Sequence, residues 1–110
     1  MKYYHNPKCS KSRLGLDYLI EKNRKLDVID YIKVGLIKTE VADLSEKLSL
    51  PPSHFIRKND LKKHGLTHCN DEESWATLLV EHPYLLERPI LVNNQKAAIG
   101  RPLENFDSIL

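Results

Sequence analysis

The sequence has few of the residues that mark specialised classes of protein. Among its 110 residues there are only two cysteines, one methionine and one tryptophan. Two cysteines cannot build the disulfide framework of a small secreted domain, so we expect a reducing, cytoplasmic location. No apolar run approaches the length of a membrane span, and the first residues do not form a signal peptide. The formal net charge is only +2, which is too even for a protein that coats nucleic acid.

The composition predicts a single globular domain over residues 1–110. Hydrophobic residues make up 41% of the chain and charged residues 29%, a balance typical of folded domains of this length. The charge is unevenly distributed, because residues 1–26 hold seven basic side chains and only two acidic ones. Cys9 lies inside this basic segment. Nearby cations favour the thiolate form of a cysteine.

The order of the predicted elements indicates the fold class. Hydrophobic periodicity and turn residues divide the chain into strand-like and helical segments. In chain order these are a strand at 1–5, a helix from 10 to about 22 with Ser10 as its N-cap, a strand at 26–31, a helical middle, a strand pair at 89–92 and 97–99 joined by Asn93-Asn94, and a terminal helix. Within the middle, Asn70 and Glu73 have the spacing of a capping box.

A parallel strand pair followed by an antiparallel pair is the thioredoxin-like arrangement. We therefore predict an α/β, thioredoxin-like fold. Its four-stranded mixed sheet is flanked by helices, and a helical insertion occupies approximately residues 36–86.

The most informative segment is His5-Asn6-Pro7-Lys8-Cys9-Ser10-Lys11-Ser12-Arg13. It places Cys9 where a loop that follows a strand enters a helix. The first turn of a helix has free amides and a partial positive charge, which stabilise a thiolate and also an incoming anion. The alternative is a buried structural cysteine, but the polar and basic neighbours of Cys9 favour a reactive thiol.

The spacing of Cys9 and Ser12 is C-x-x-S rather than C-x-x-C. A dithiol can form its own internal disulfide, whereas this motif cannot. Electrons for a two-electron reduction must therefore come partly from an outside thiol. Ser12 either donates a hydrogen bond to the thiolate or is a simple helix-surface serine.

Three arginines stand out by their context. Arg57 follows a short predicted helix, Arg88 directly precedes Pro89 at the start of a strand, and Arg101 follows the hairpin. In the predicted fold these element ends converge on the Cys9 loop, where guanidinium groups suit a tetrahedral oxyanion. The alternative is three unrelated surface arginines, and spacing alone does not decide between the two.

Taken together, these motifs resemble the glutaredoxin-coupled arsenate reductase (ArsC-like) family of the thioredoxin superfamily. The matching motifs occur in the family's order and cover essentially the whole chain. They are Tyr4-His5-Asn6-Pro7-x-Cys9-Ser10-x-Ser12-Arg13, Arg57-Lys58-Asn59, His82-Pro83, Glu87-Arg88-Pro89-Ile90 and Ile99-Gly100-Arg101-Pro102.

The resemblance implies a function and a set of roles. Cys9 is expected to be the nucleophile that attacks arsenate, with His5 and Ser12 lowering its pKa, His5 largely through its field. The anion-binding residues would be Arg57, Arg88 and Arg101, and Pro89 would be a cis-proline beside the sulfur. The family reduces arsenate to arsenite with glutathione as co-substrate and glutaredoxin as partner, without a bound cofactor.

Two departures bear on this interpretation. Ser10 and Lys11 replace the Gly-Thr pair of the best-known plasmid-borne enzymes, and the match is nearer a chromosomal branch whose members are often named by similarity. One alternative is a glutathione-linked thiol-disulfide oxidoreductase that does not act on arsenate. The other is an Spx-like transcription regulator, but such regulators typically carry C-x-x-C.

The second cysteine, Cys69, has no role in the family pattern and is expected to be incidental. It lies near His64 and His68. A zinc site normally requires four ligands at paired spacings. We therefore expect no metal site.

Overall fold

A computed structural model describes all 110 residues of the chain, which divide into two compact units. The sheet unit consists of Met1–Val34 and Arg88–Leu110, and the helical unit consists of Gly35–Glu87. The bounds of the helical unit differ by one residue at each end from those of the predicted insertion, residues 36–86. Whether the whole chain forms a single domain stays a prediction.

The sheet unit contains one mixed sheet of four strands in the order β2-β1-β3-β4. Strands β1 and β2 are parallel, whereas β3 is antiparallel to both β1 and β4. The strands are β1 (Lys2–His5), β2 (Asp27–Asp30), β3 (Ile90–Asn93) and β4 (Lys96–Ile99). Helix α1 (Ser10–Glu21) makes the crossover between β1 and β2, and the short helix α2 (Tyr31–Val34) follows β2. This topology confirms the thioredoxin-like fold predicted from the sequence.

Alternation along β1 determines which side chains face helix α1. Successive strand residues point to opposite faces, so Tyr3 and His5 share one face. Tyr3 is fully buried in a cluster with Leu19 of α1, Leu91 of β3 and Phe106. This packing holds α1 against the sheet, and the loop of residues 6–9 connects the carboxyl end of β1 to the beginning of the helix.

The helical unit is built from two α-helices and short 3₁₀ turns. Helices α3 (Lys38–Leu48) and α4 (Glu72–Glu81) pack on each other and bury Val41, Leu44 and Leu79. The 3₁₀ turns are Pro52–Phe55, Lys58–Asp60, Lys62–His64 and Pro83–Leu85. Neither these helices nor those of the sheet unit have the length and apolar character that a bilayer span requires.

Several predicted element ends were wrong by one residue. Cys9 rather than Ser10 is the N-cap residue of α1. Asp71 rather than Asn70 caps α4, because its Oδ1 accepts a hydrogen bond from the Ser74 amide at 2.8 Å. The hairpin turn is Asn94-Gln95, since Asn93 still pairs with Lys96. The terminal helix is a 3₁₀ helix, Leu103–Ile109.

The corrected cap of α4 can be tested with two neighbouring substitutions. Asp71→Ala removes the acceptor of the Ser74 amide and should lower the melting temperature by about 4–8 °C. Asn70→Ala removes a polar side chain of similar size that makes no cap bond, so it should leave the melting temperature nearly unchanged. Thermal unfolding followed by circular dichroism measures both, and equal losses would contradict the assignment of the cap.

Candidate active site

The sulfur of Cys9 lies at the N-terminus of helix α1. Cys9 has extended backbone angles (φ −94°, ψ 120°), and its carbonyl accepts the first helical hydrogen bond from the Arg13 amide at 3.1 Å. The Cys9 amide is bonded to the Asn6 carbonyl at 3.0 Å, which closes the loop in front of the helix. The Cys9 side chain is partly exposed. It therefore combines a fixed position with access from solvent.

The pKa of Cys9 lies below the ordinary value for a thiol. Burial of the sulfur raises the pKa. A hydrogen bond from the Arg88 side chain, interactions with the backbone amides of Ser12 and Lys11, and the Arg88 charge together outweigh burial and lower the pKa. Arg101 adds a contact, since its Nη2 lies 3.8 Å from the sulfur. Two guanidinium groups and two helix amides thus surround the sulfur.

Ser12 lies three residues into α1 and links the thiol loop to the sheet. It is fully buried, and its Oγ is 2.7 Å from His5 Nδ1 and 3.0 Å from the Asn6 amide that donates to it. The Ser12 hydroxyl is therefore hydrogen-bonded to His5 and to the Asn6 amide of the loop. Among the interactions that lower the Cys9 pKa, Ser12 contributes through its backbone amide.

His5 is uncharged at neutral pH. Burial, partly offset by the Asp30 carboxylate and reinforced by Arg13, lowers the pKa of His5 below its usual value. A neutral imidazole produces little electric field, and the expected role of His5 in lowering the Cys9 pKa stays a prediction. The ring of His5 contacts the Ser12 hydroxyl, and the charge beside the sulfur is that of the Arg88 guanidinium.

Two segments of the sheet unit carry the arginines to the thiol. Arg88 lies two residues before β3, and the Arg88–Pro89 peptide bond is cis, with Pro89 buried. The Gly100 amide donates to the Pro89 carbonyl at 2.8 Å, and Arg101 Nε donates to the Arg88 carbonyl at 2.7 Å. The backbone around Arg88 thus orients the guanidinium of Arg101, and the structure brings Arg88, Arg101 and Cys9 together.

Arg57 lies in the helical unit. Its Nε donates to Asp60 Oδ2 at 2.9 Å, and its amide donates to the Leu85 carbonyl at 2.7 Å. The side chain is partly exposed and has a fixed local orientation. Its predicted role as a third anion-binding arginine stays a prediction.

The second cysteine has the opposite electrostatic environment. Burial, and then the Asp71 carboxylate, raises the pKa of Cys69. Cys69 is therefore a protonated thiol at neutral pH, and its pKa shifts in the direction opposite to that of Cys9. The rings of His68 and Trp75 make an edge contact, with 4.8 Å between their centroids. Nowhere in the chain do three His, Cys, Asp or Glu side chains come close enough to share a metal ion.

Two contributors to the loop were not identified as positioning groups from the sequence. The sequence marks Arg13 only as a basic residue, but its Nη1 donates to the Pro7 carbonyl at 2.8 Å. The sequence predicts Tyr3 only as a strand residue, but its hydroxyl donates to the Ser12 carbonyl at 2.6 Å. An isolated glycine inside a helical pattern indicates close packing. Gly15 is therefore the sequence feature that could have indicated the contact of Tyr3 with α1.

The fold and the thiol together define a thioredoxin-like protein with one activated cysteine and a cationic rim. The ArsC family model matches residues 4–109, and the chain belongs to the ArsC family. An arsenate reductase of Neisseria meningitidis serogroup A is 40% identical, covering 100% of this chain and 97% of that protein. YfgD of Escherichia coli K12, an uncharacterized protein, is 38% identical over 100% and 96%. The structure of an arsenate reductase from Vibrio cholerae superposes with a TM-score of 0.85 at 36% identity, covering 100% and 98%.

The lowered pKa of Cys9 can be measured by alkylation. In a Cys69→Ser background, the rate of iodoacetamide reaction against pH should report a pKa below the ordinary thiol value of about 8.5. Arg88→Ala should slow the reaction at neutral pH by about tenfold, because it removes a charged hydrogen bond to the sulfur. A profile for Arg88→Ala that superposes on the parent would contradict the role given to this guanidinium. Arg24→Ala, which removes an exposed arginine elsewhere in the same unit, is the matched control.

Proposed function

We propose that this protein is an arsenate reductase in which Cys9 is the single nucleophile and glutathione and glutaredoxin supply the electrons. The observation that carries the proposal is the contact of one thiol with two guanidinium groups, Arg88 and Arg101. The guanidinium groups suit an oxyanion, and the thiolate provides the attacking atom. Membership of the ArsC family and the names of similar proteins support this reaction class.

The first step is attack of the Cys9 thiolate on arsenic(V). A sulfur–arsenic bond forms, an arsenic–oxygen bond breaks, and the oxygen leaves as hydroxide that is protonated to water. Arg88 and Arg101 hold the remaining arsenate oxygens and balance their charge. The backbone amides of Ser12 and Lys11 keep the sulfur at the helix N-terminus before the attack.

The second step needs an electron donor from outside the chain. Glutathione thiolate attacks the Cys9 sulfur, and the sulfur–arsenic electron pair leaves with arsenic, which becomes arsenite. The product is a disulfide between Cys9 and glutathione. Glutaredoxin then attacks the glutathione sulfur and releases the Cys9 thiolate. Because C-x-x-S has no internal resolving thiol at Ser12, this outside resolution accounts for the motif.

The arsenic-independent alternative is a glutathione-linked thiol-disulfide oxidoreductase. It would use the same thiol and the same outside donors. The two guanidinium groups at the sulfur favour an oxyanion over a neutral disulfide substrate. The Spx-like regulator is disfavoured because the C-x-x-C switch is missing.

A coupled assay tests the arsenate reaction directly. With glutathione, glutaredoxin and glutathione reductase present, arsenate should drive NADPH oxidation in wild-type protein. Cys9→Ser should reduce the rate to background, because the nucleophile is lost, whereas Cys69→Ser should stay within about twofold of wild type. If wild type shows no arsenate-dependent rate above Cys9→Ser, the arsenate assignment is wrong and the thiol oxidoreductase remains.

Occupation of the anion site should be visible without turnover. Phosphate and sulfate should slow alkylation of Cys9, since a bound oxyanion covers the sulfur. Arg101→Ala should raise the phosphate concentration required for this protection by about tenfold or more. Arg57→Ala tests the third arginine in the same assay, and Arg24→Ala is the control. Undiminished protection in Arg101→Ala would show that its guanidinium does not bind the anion.

A further inference from the structure

All polar groups of Ser12 are engaged, and each in a different direction. Its amide contacts the Cys9 sulfur, and its hydroxyl contacts His5 and the Asn6 amide. Its carbonyl accepts a hydrogen bond from the Tyr3 hydroxyl at 2.6 Å. Tyr3 is fully buried in β1, so this bond joins the first turn of α1 to the centre of the sheet.

The bond from Tyr3 requires a gap in the surface of α1. Gly15 is buried in the interior of that helix, where glycine is among the least favourable residues. A Cβ at position 15 would overlap the Tyr3 hydroxyl oxygen, and it would lie 3.0 Å from Pro89 Cγ and 3.2 Å from Leu103 Cδ2. The missing side chain thus admits both the Tyr3 hydroxyl and the ring of Pro89.

Gly15 and Tyr3 touch the two segments that bring charge to the thiol. The Tyr3 hydroxyl contacts Ser12, whose amide faces the sulfur. Pro89, which packs over Gly15, directly follows Arg88, whose side chain is hydrogen-bonded to the sulfur. Burial raises the pKa of Tyr3 far above that of an ordinary tyrosine, so its hydroxyl remains a neutral donor across the pH range in which thiols ionise.

We propose that Tyr3 and Gly15 are positioning residues for the Cys9 thiolate, acting through Ser12 on one side and Pro89 on the other. The inference rests on the proposed role of Cys9 as the reacting thiol. Tyr3 holds the Ser12 turn so that its amides point at the sulfur, and Gly15 leaves the space that this contact and the Pro89 segment require. Neither residue touches the sulfur or the substrate.

The most conservative substitution that tests the role of Tyr3 is Tyr3→Phe, which removes one oxygen atom and keeps the buried ring. In a Cys69→Ser background, alkylation of Cys9 at a pH below the ordinary thiol pKa should slow by about three- to fivefold, as expected for one weakened hydrogen-bond network. The whole pH–rate profile should move to higher pH. Tyr18→Phe is the matched control, because it removes a hydroxyl that donates to Asp107 at 2.7 Å in the same unit.

A double-mutant cycle tests the pairing of the two residues. Gly15→Ala alone should lower the urea midpoint and displace the alkylation profile, because the new methyl group collides with the Tyr3 hydroxyl. In Tyr3→Phe/Gly15→Ala that oxygen is gone, and no other atom of residue 3 comes within 3.2 Å of the new methyl group. The double variant should therefore recover much of the urea midpoint that Gly15→Ala loses.

The outcomes separate this inference from the proposed function. A wild-type profile with an ordinary thiol pKa overturns both. A lowered wild-type profile that Tyr3→Phe leaves unmoved, or that Tyr18→Phe moves equally, overturns the positioning role alone. Strictly additive losses in the double variant overturn the pairing with Gly15. A displaced profile in a protein that shows no arsenate-dependent turnover supports the positioning role while the arsenate assignment fails.

Discussion

The sulfur of Cys9 lies at the N-terminus of helix α1, beside two guanidinium groups, and the rest of the site depends on this position. The first amides of a helix have no partner within the helix itself. In this protein the amides of Lys11 and Ser12 help to lower the pKa of the sulfur, although the Cys9 side chain makes no capping hydrogen bond. Hydrogen bonds hold Cys9 in this position: the Cys9 amide donates to the Asn6 carbonyl, and the Asn6 amide donates to the buried Ser12 hydroxyl. The basic residues add positive charge.

The same position couples the chemistry of the thiol to the stability of the fold. Because the pKa of Cys9 is depressed in the folded chain, ionisation of the sulfur stabilises that state. The contribution is fully present above the pKa of the unfolded chain and is lost as the pH falls through the folded pKa. A sulfur bonded to arsenic or to glutathione carries no charge and loses much of this stabilisation. In the proposed cycle, the final step, in which glutaredoxin attacks the mixed disulfide, therefore gains by restoring the Cys9 thiolate, which is also the better leaving group.

Sequence patterns predicted the topology because strand and helix periodicities are local and the connections leave few alternatives. They misplaced element ends, because capping is decided by single backbone angles: Ser10 has the usual capping side chain, yet Cys9 has the extended backbone. They brought Cys9, Arg57, Arg88 and Arg101 into one hypothesis, since each residue stands at an element end. The structure shows contacts with Cys9 for Arg88 and Arg101, whereas the role of Arg57 stays a prediction. Sequence patterns could not determine the charge of His5, which depends on its burial against Ser12.

The two arginines at the thiol differ in exposure, and both bear on the substrate selectivity of the proposed enzyme. Arg88 is partly buried and bonded to the sulfur, whereas Arg101 is exposed and anchored by its Nε, which leaves Nη2 facing the sulfur at 3.8 Å. Guanidinium groups bind the oxygens of any tetrahedral oxyanion in much the same way. Phosphate and sulfate are therefore expected to bind, but their central atoms are not reduced by thiols. The proposed selectivity for arsenate thus resides in the reaction with the Cys9 thiolate and the outside thiols rather than in binding.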